Sequence, residues 1–254
     1  IQAMLHHLTL VVLATIGTRA AEGLEGACEG VVDAAKVEFA EKFEGRTVKT
    51  GERLELVCAV YASPLATILW LHEGKEVEML EGPAEHLITK GRRLAIGVLE
   101  SRLVRPCARP QDAGEYRCVV VSPCAPAIEA HATVEIAASP RPAKCAPRQG
   151  PTISLFTSSR MELAKNAVQL VCRSSDPQAA VFWQRLPETP AQQPHLVTGQ
   201  PGFTQLPNGD LVVDVGLVSQ HDGSEIASLG LRCIVESPEG TTVADSTVIY
   251  LEDE

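Results

Sequence analysis

Along Leu54-Glu55-Leu56-Val57-Cys58, large apolar side chains return at every second position, and Ile68 and Trp70 resume the same alternation a little further on. A period of two predicts half-buried strands, with Cys58 and Trp70 facing one core. Trp70 to Val77 reads as a hairpin, Gly74 supplying the left-handed backbone of its turn. The glutamates at 73, 76, 78, 81 and 85 read as the solvated edge that follows, charge at a sheet edge discouraging pairing with other chains. The pattern then repeats. Val168, Leu170 and Cys172 alternate with positions expected to be polar or exposed, and Val181 and Trp183 continue on the next strand. Pro187, Pro190 and Pro194 predict a long loop after Trp183 rather than a tight hairpin. Asn208-Gly209 predicts a turn, Leu211 to Val215 a strand, and Thr241 to Leu251 the last strand.

The two halves are an internal repeat. Cys58 and Cys118 are 60 positions apart and Cys172 and Cys233 are 61 apart, while Trp70 follows its first cysteine by 12 positions and Trp183 follows its own by 11. In an immunoglobulin sandwich two such cysteines bridge the facing sheets and the indole packs on the bridge. The predicted fold is therefore all-β, two tandem immunoglobulin-like sandwiches of the I-set type. Asp112-Ala-Gly114-Glu-Tyr116-Arg-Cys118 strengthens the assignment for the first. Tyr116, two residues before the cysteine, can return a hydrogen bond to backbone at the corner between strands E and F, and Asp112 with Gly114 makes the turn before it. In the second repeat Leu231 takes the tyrosine position. There the Asp222-Gly223 turn stands 11 residues before Cys233, against 6 from Asp112 to Cys118, which implies a five-residue insertion.

These signals divide the chain into a signal peptide at 1–20, an N-terminal segment at 21–46, a first domain at 47–137, a proline-rich linker at 138–150 and a second domain at 151–254. The signal peptide is read from the apolar run Leu5 to Ile16 followed by Thr18-Arg19-Ala20. That run is too short to span a bilayer, so no membrane insertion is expected. The linker, with Pro140, Pro142 and Pro147, is expected to be extended and to mark the boundary between the domains.

The net charge of −10 becomes −11 once Arg19 leaves with the signal peptide, and an acidic surface disfavours nucleic acid. All 8 cysteines lie after the cleavage point, as expected for a disulfide framework in an oxidising compartment. No catalytic residue or cofactor site is indicated. There is no Gly-x-Ser-x-Gly, phosphate loop or His-Glu-x-x-His, and His72, His86, His131, His195 and His221 lack metal-ligand spacing. Cys28, Cys107, Cys124 and Cys145 remain after the two sandwich bridges and allow three pairings. Topology favours Cys107–Cys145 at the end where the last strand leaves, and Cys28–Cys124 at the opposite end. A Cys107–Cys145 bond is expected to staple the linker and restrict swinging between the domains.

Cys107-Ala108 just ahead of the Asp112–Cys118 motif, Ile128-Glu129 before a valine-rich strand, Cys145 in the linker and Asn208-Gly209-Asp-Leu together resemble the secreted two-immunoglobulin proteins of invertebrates. These are the nematode zwei-Ig proteins and the insect imaginal morphogenesis protein-late, an insulin-binding neural and ectodermal development factor. The resemblance spans both repeats. It implies a secreted, non-enzymatic binding protein. One implied ligand class is insulin-like peptides, whose sequestration modulates growth signalling; the other is cell-surface proteins, bound in neural adhesion or maintenance.

Overall fold

The computed structural model describes residues 36–41, 43–62, 66–80, 82, 92–94, 96–122, 125–138, 145, 150–189 and 192–252. The expected signal peptide, Cys28, Cys124 and most of the linker lie outside them.

The first domain is built from β1 (Val37–Phe39), β2 (Arg46–Lys49), β3 (Leu54–Ala62), β4 (Thr67–His72), β5 (Lys75–Leu80), β6 (Ile96–Arg105), β7 (Gly114–Ser122) and β8 (Ala125–Ala137). One of its layers is the series β1-β3-β6; the other is a five-stranded sheet in the order β2-β8-β7-β4-β5. Leu54, Leu56, Cys58 and Val60 of β3 and Leu99 and Leu103 of β6 meet Ile68, Trp70, Tyr116, Cys118 and Val120 between the layers. The expected hairpin joins β4 to β5, with Glu73 and Gly74 both at positive φ (51° and 73°), and β5 is an edge strand.

The second domain is built from β9 (Ile153–Leu163), β10 (Ala167–Leu170), β11 (Cys172–Ser174), β12 (Ala180–Arg185), β13 (His195–Leu196), β14 (Phe203–Gln205), β15 (Leu211–Asp214), β16 (Ser228–Ser237) and β17 (Gly240–Leu251). The long loop expected after Trp183 separates β12 from β13. A difference lies before β16. Val215 does not extend β15 but starts helix α1 (Val215–Asp222), which ends at the expected Asp222-Gly223 turn; the extra length before Cys233 is the irregular stretch 223–227 between α1 and β16. Asp214 caps the helix, accepting from Leu217 N at 3.1 Å, and Gly223 ends it in the left-handed region at φ 67°. The side chains of Val215 and Val218 fill the second core, beside Leu231.

The two sandwiches are joined by more than the expected linker: β6 of the first domain pairs antiparallel with β9 of the second, from Ile96↔Met161 to Ser101↔Leu155. The result is one nine-stranded sheet running β1-β3-β6-β9-β17-β16-β12-β13 through both domains, with β11 attached to β9. β9 begins paired with β11 and ends paired in parallel with β17, while its other edge stays on β6. A bulge between Val98 and Leu99 accommodates the change of direction. Gly97 makes the approach possible, because a Cβ there would stand 2.7 Å from the Ser159 carbonyl oxygen.

Side chains interlock across the same seam. Leu155 of β9 and Val171, between β10 and β11, are buried in the core of the first domain, whereas Ile153 and Phe156 belong to the core of the second. The expected alternation of Val168, Leu170 and Cys172 with polar or exposed positions holds at polar Gln169 and fails at Val171. Val171 faces the neighbouring core, and Gln169 is buried donating to Asp210 Oδ2 at 2.8 Å. Arg160 and Glu162 form a buried ion pair at 3.1 Å in the seam. Arg160 Nη1 donates to the Ile96 carbonyl at 3.0 Å; Glu162 Oε1 accepts from Leu94 N at 2.7 Å and from Asn166 Nδ2 at 3.1 Å. A buried pair is tolerable only when its remaining hydrogen-bonding capacity is filled in this way. Arg102 of β6 also lies over the Phe156 ring, 5.0 Å from its centroid.

Candidate functional site

The residues singled out from the sequence frame the two cores. Cys58 is bonded to Cys118 and Cys172 to Cys233, with Cα–Cα separations of 6.5 and 6.4 Å, and Trp70 and Trp183 are fully buried in the corresponding cores. Each indole also has a hydrogen-bond acceptor: Trp70 Nε1 donates to Ser101 Oγ at 2.8 Å and Trp183 Nε1 to the Gly209 carbonyl at 2.9 Å. Tyr116 Oη donates to the Asp112 carbonyl at 3.0 Å, and burial pushes its phenol above the ordinary value, which keeps the donor in place. Asp112 Oδ2 accepts from Arg109 N at 2.7 Å, closing the turn. Cys107 is bonded to Cys145, Cα–Cα 5.2 Å. Cys28 and Cys124 are outside the described residues.

Asp210 is a buried hub that the sequence reading passed over as a turn residue. Its carboxylate accepts from Gln169, from Cys172 N and from Arg173, whose Nη2 stands at 2.8 Å. Every one of these contacts is internal, so Asp210 holds β15 to β10 and β11. Among the described residues no three His, Cys, Asp or Glu side chains group to hold a metal ion.

The candidate surface for other molecules is the outer face of the continuous sheet. Strand alternation turns one set of side chains inward, and cross-strand register aligns the others in rows. One row runs Tyr61–Val98–Ser159–Thr247–Gly230 over five strands of both domains. Beside it runs Ile96–Met161–Ile249–Ser228, with Leu251 beyond. At the far end of the second domain Phe182, Ile234 and Val243 form a third row. Tyr61, Phe182, Leu196, Val243, Ile249 and Leu251 are six of the exposed large apolar side chains among the described residues, and all lie on this one face. Scattered exposed hydrophobes are ordinary, but a contiguous set marks an interaction surface.

Charge on the face comes from one ion pair between the apolar rows and, around them, from Glu38 opposite Tyr61, Glu100 and Arg102 on β6, and Glu236 on β16. Arg232 Nε and Nη2 donate to the two oxygens of Asp245 at 2.6 and 2.8 Å. The hydrogen bonds from Arg232 hold the Asp245 carboxyl below the usual carboxylate range. Arg232 and Asp245 neutralise each other in a fork between the apolar rows. Spacing gives the dimensions: five strand steps of about 4.8 Å from Tyr61 to Phe182, and eight residues of about 3.3 Å from Val243 to Leu251, make a face of roughly 24 by 26 Å. That is roughly 600 Å² in projection, close to the ~800 Å² per partner of an ordinary protein complex. Small residues, Ser159, Ser228 and Gly230, leave its middle low. The sequence held the signal for this face in the outward residues of Thr241–Leu251. Only the seam, invisible in the pattern, joins them to Tyr61 and Val98.

The arrangement has counterparts. The family model of the immunoglobulin domain matches residues 41–122. Two proteins of Caenorhabditis elegans are similar over most of both chains. Zwei Ig domain protein zig-4 is 30% identical over 182 residues, 70% of this chain and 68% of its own length, and zig-3 is 29% identical over 179 residues, 68% and 67%. The crystal structure of neural ectodermal development factor IMP-L2 shares the fold, with a TM-score of 0.61 at 21% identity over 88% of this chain and 99% of that one. The repeat, the two bridged sandwiches and this degree of identity agree, and the chain belongs to the zwei-Ig family of two-immunoglobulin-domain proteins.

Proposed function

We propose that the protein is a secreted, non-enzymatic binder whose continuous sheet captures an insulin-like peptide and so withholds it from growth signalling. The observation that carries the reading is the set of exposed apolar rows that crosses both domains on one continuous sheet. A preformed face keeps the entropic cost of binding low, because neither the domains nor their backbones need to be ordered at the moment of contact. Its area suits a small globular peptide with an exposed apolar surface and no requirement for a deep pocket. The bridges Cys58–Cys118, Cys107–Cys145 and Cys172–Cys233 fit an extracellular location. No helix among the described residues is long and apolar enough to cross a membrane.

Titration calorimetry of the purified protein against insulin-like peptides of the source organism tests the proposal. A one-to-one complex is expected, weakened at least about tenfold by Ile249→Asp or Phe182→Asp, since an apolar anchor contributes about 1–2 kcal/mol or more. Both side chains point outward, so the fold should survive. Val77→Asp, on the edge strand β5 far from the face, is the control and should bind normally. Absence of any complex at micromolar concentrations, or equal weakening by all three substitutions, overturns the proposal and leaves a cell-surface protein as the partner class.

A further inference from the structure

The two longest neighbouring strands of the second domain carry an internal match on their outer face. In the β16–β17 register Ile249 lies opposite Ser228, Thr247 opposite Gly230, Asp245 opposite Arg232 and Val243 opposite Ile234. Each pair is complementary: a large side chain beside a small one at the first two, an anion beside a cation, then two apolar groups. Ile249 and Val243 are 39 and 48% exposed, and Ser228, Asp245 and Thr247 are exposed as well. Leu186 leans over Gly230, its Cβ 3.3 Å from where a Cβ on the glycine would stand, so the place opposite Thr247 is lined by an aliphatic side chain.

A two-fold axis lying in this face, along the gap between β16 and β17, turns every one of these neighbours into a facing pair. It sets β17 of one copy over β16 of the other without changing the height of any residue along the strands. Ile249 then seats over Ser228 of the second copy, Thr247 over its Gly230 and Leu186, and Val243 over its Ile234. Arg232 lies over Asp245 of the second copy and Asp245 over its Arg232, so the two forks make a square of alternating charge. Glu236, opposite Thr241 in the register, faces that threonine across the interface too, so no like charges meet along the ladder. Stacked sheets stand about 10 Å apart and cross at about 30°, and a crossing centred on the forks keeps the pairs beside them aligned. The strands β9, β17, β16 and β12 overlap. Four strands each about 4.8 Å wide and about 26 Å long give roughly 500 Å² on each copy and 1,000 Å² in all. That is the lower limit of a specific interface and suits a reversible association in the micromolar range. We infer that the free protein pairs with a second copy of itself through the outer faces of β16 and β17. The dimer covers strands assigned above to the ligand, so pairing and capture exclude each other. It does not rest on that assignment, and Tyr61, on β3, lies outside the overlap.

Sedimentation velocity of the purified protein without ligand tests the dimer. The mass should be double that of one chain at about 100 μM and fall toward that of one chain below about 1 μM. Ser228→Arg puts a long cation where Ile249 must seat and should raise the dissociation constant at least about tenfold, whereas Tyr61→Asp should leave it unchanged. Unaltered thermal midpoints of both variants show that the fold is intact. Exchanging the fork, Arg232→Asp with Asp245→Arg, keeps an ion pair within each copy. The exchanged protein should pair with itself as the original does. In mixtures labelled for energy transfer, mixed dimers should be at least about tenfold rarer than like ones, because in them cation faces cation and anion faces anion. A single chain at every concentration overturns the inference, whether or not a ligand binds. A dimer indifferent to Ser228→Arg overturns it too, as does free mixing of exchanged and original copies, since either places the contact on another face. A dimer with these responses but no complex with an insulin-like peptide upholds the inference and overturns the ligand reading alone.

Discussion

Replacing Leu155 by alanine should destabilise the first domain although the residue belongs to the second. Leu155 is fully buried among Leu99, Leu103 and the other core residues of the first sandwich, opposite Ser101 in the seam. Truncating a fully buried leucine removes its transfer free energy and leaves a cavity, about 2–5 kcal/mol together. Taking about 3 kcal/mol, and about 2–4 °C per kcal/mol for a protein of this size, the midpoint should fall by roughly 6–12 °C. Trp70 and Trp183 report the two cores separately, so fluorescence melts in Trp183→Phe and Trp70→Phe backgrounds follow one domain each. Both reporters should give the same midpoint before the substitution and the same lowered midpoint after it, since one strand carries ladders of both domains. If the Trp70 signal keeps its midpoint while the Trp183 signal falls, the domains unfold independently and the seam contributes nothing to the first.

Four further outcomes are expected. Cys107→Ser with Cys145→Ser should cost about 4 kcal/mol by the chain-entropy argument for a bridge of separation 38, yet leave the small-angle scattering profile unchanged, because the β6–β9 ladder rather than the bridge fixes the domains. This reverses what the linker cysteines alone suggested. Gly97→Ala should lower stability by about 1–3 kcal/mol, measured by urea denaturation, because the new methyl meets the Ser159 backbone. Tyr250→Phe should be neutral or stabilising by up to about 1 kcal/mol in the same assay, since the buried hydroxyl has no hydrogen-bond partner among the described residues. The Asp245 carboxyl, held below its ordinary value by Arg232, should titrate in NMR below an unfolded aspartate. Its contribution is present above the unfolded value of about 3.9 and disappears as pH falls through the depressed one, and for so exposed a pair it should be under about 1 kcal/mol.

The two sandwiches were legible because each depends on residues with a fixed spacing and a fixed face: Cys58 and Cys118, Trp70, and Tyr116 with its partner Asp112. Period-two alternation reports which side of a strand is buried. It does not report which strand lies along the edge, because edge pairing uses backbone groups that every residue possesses. The β6–β9 ladder was therefore silent in the pattern, and with it the face that joins Tyr61 to Ile249. Its traces were indirect. Ile153-Ser-Leu155-Phe156 is apolar on both sides of a strand, Gly97 stands inside a strand rather than at a turn, and Arg160 and Glu162 stand where a surface strand would equally carry them. Only the geometry shows that these last two are buried together. Helix α1 was missed for a local reason: Asp214 reads as strand or as cap, and no turn residue separates it from Val213.

β9 has no free edge, and its register is set at once by β6, β11 and β17. Losing or gaining one residue there would exchange the side chains destined for the two cores, sending Leu155 toward the second and Phe156 toward the first. Immunoglobulin domains strung like beads can be duplicated, deleted or traded as blocks, since each closes its own hydrogen bonds. This pair cannot be. A chimera that kept the first domain and took its second from an unrelated tandem would leave the edge of β6 without a matching strand, so the heritable unit is the pair rather than the domain.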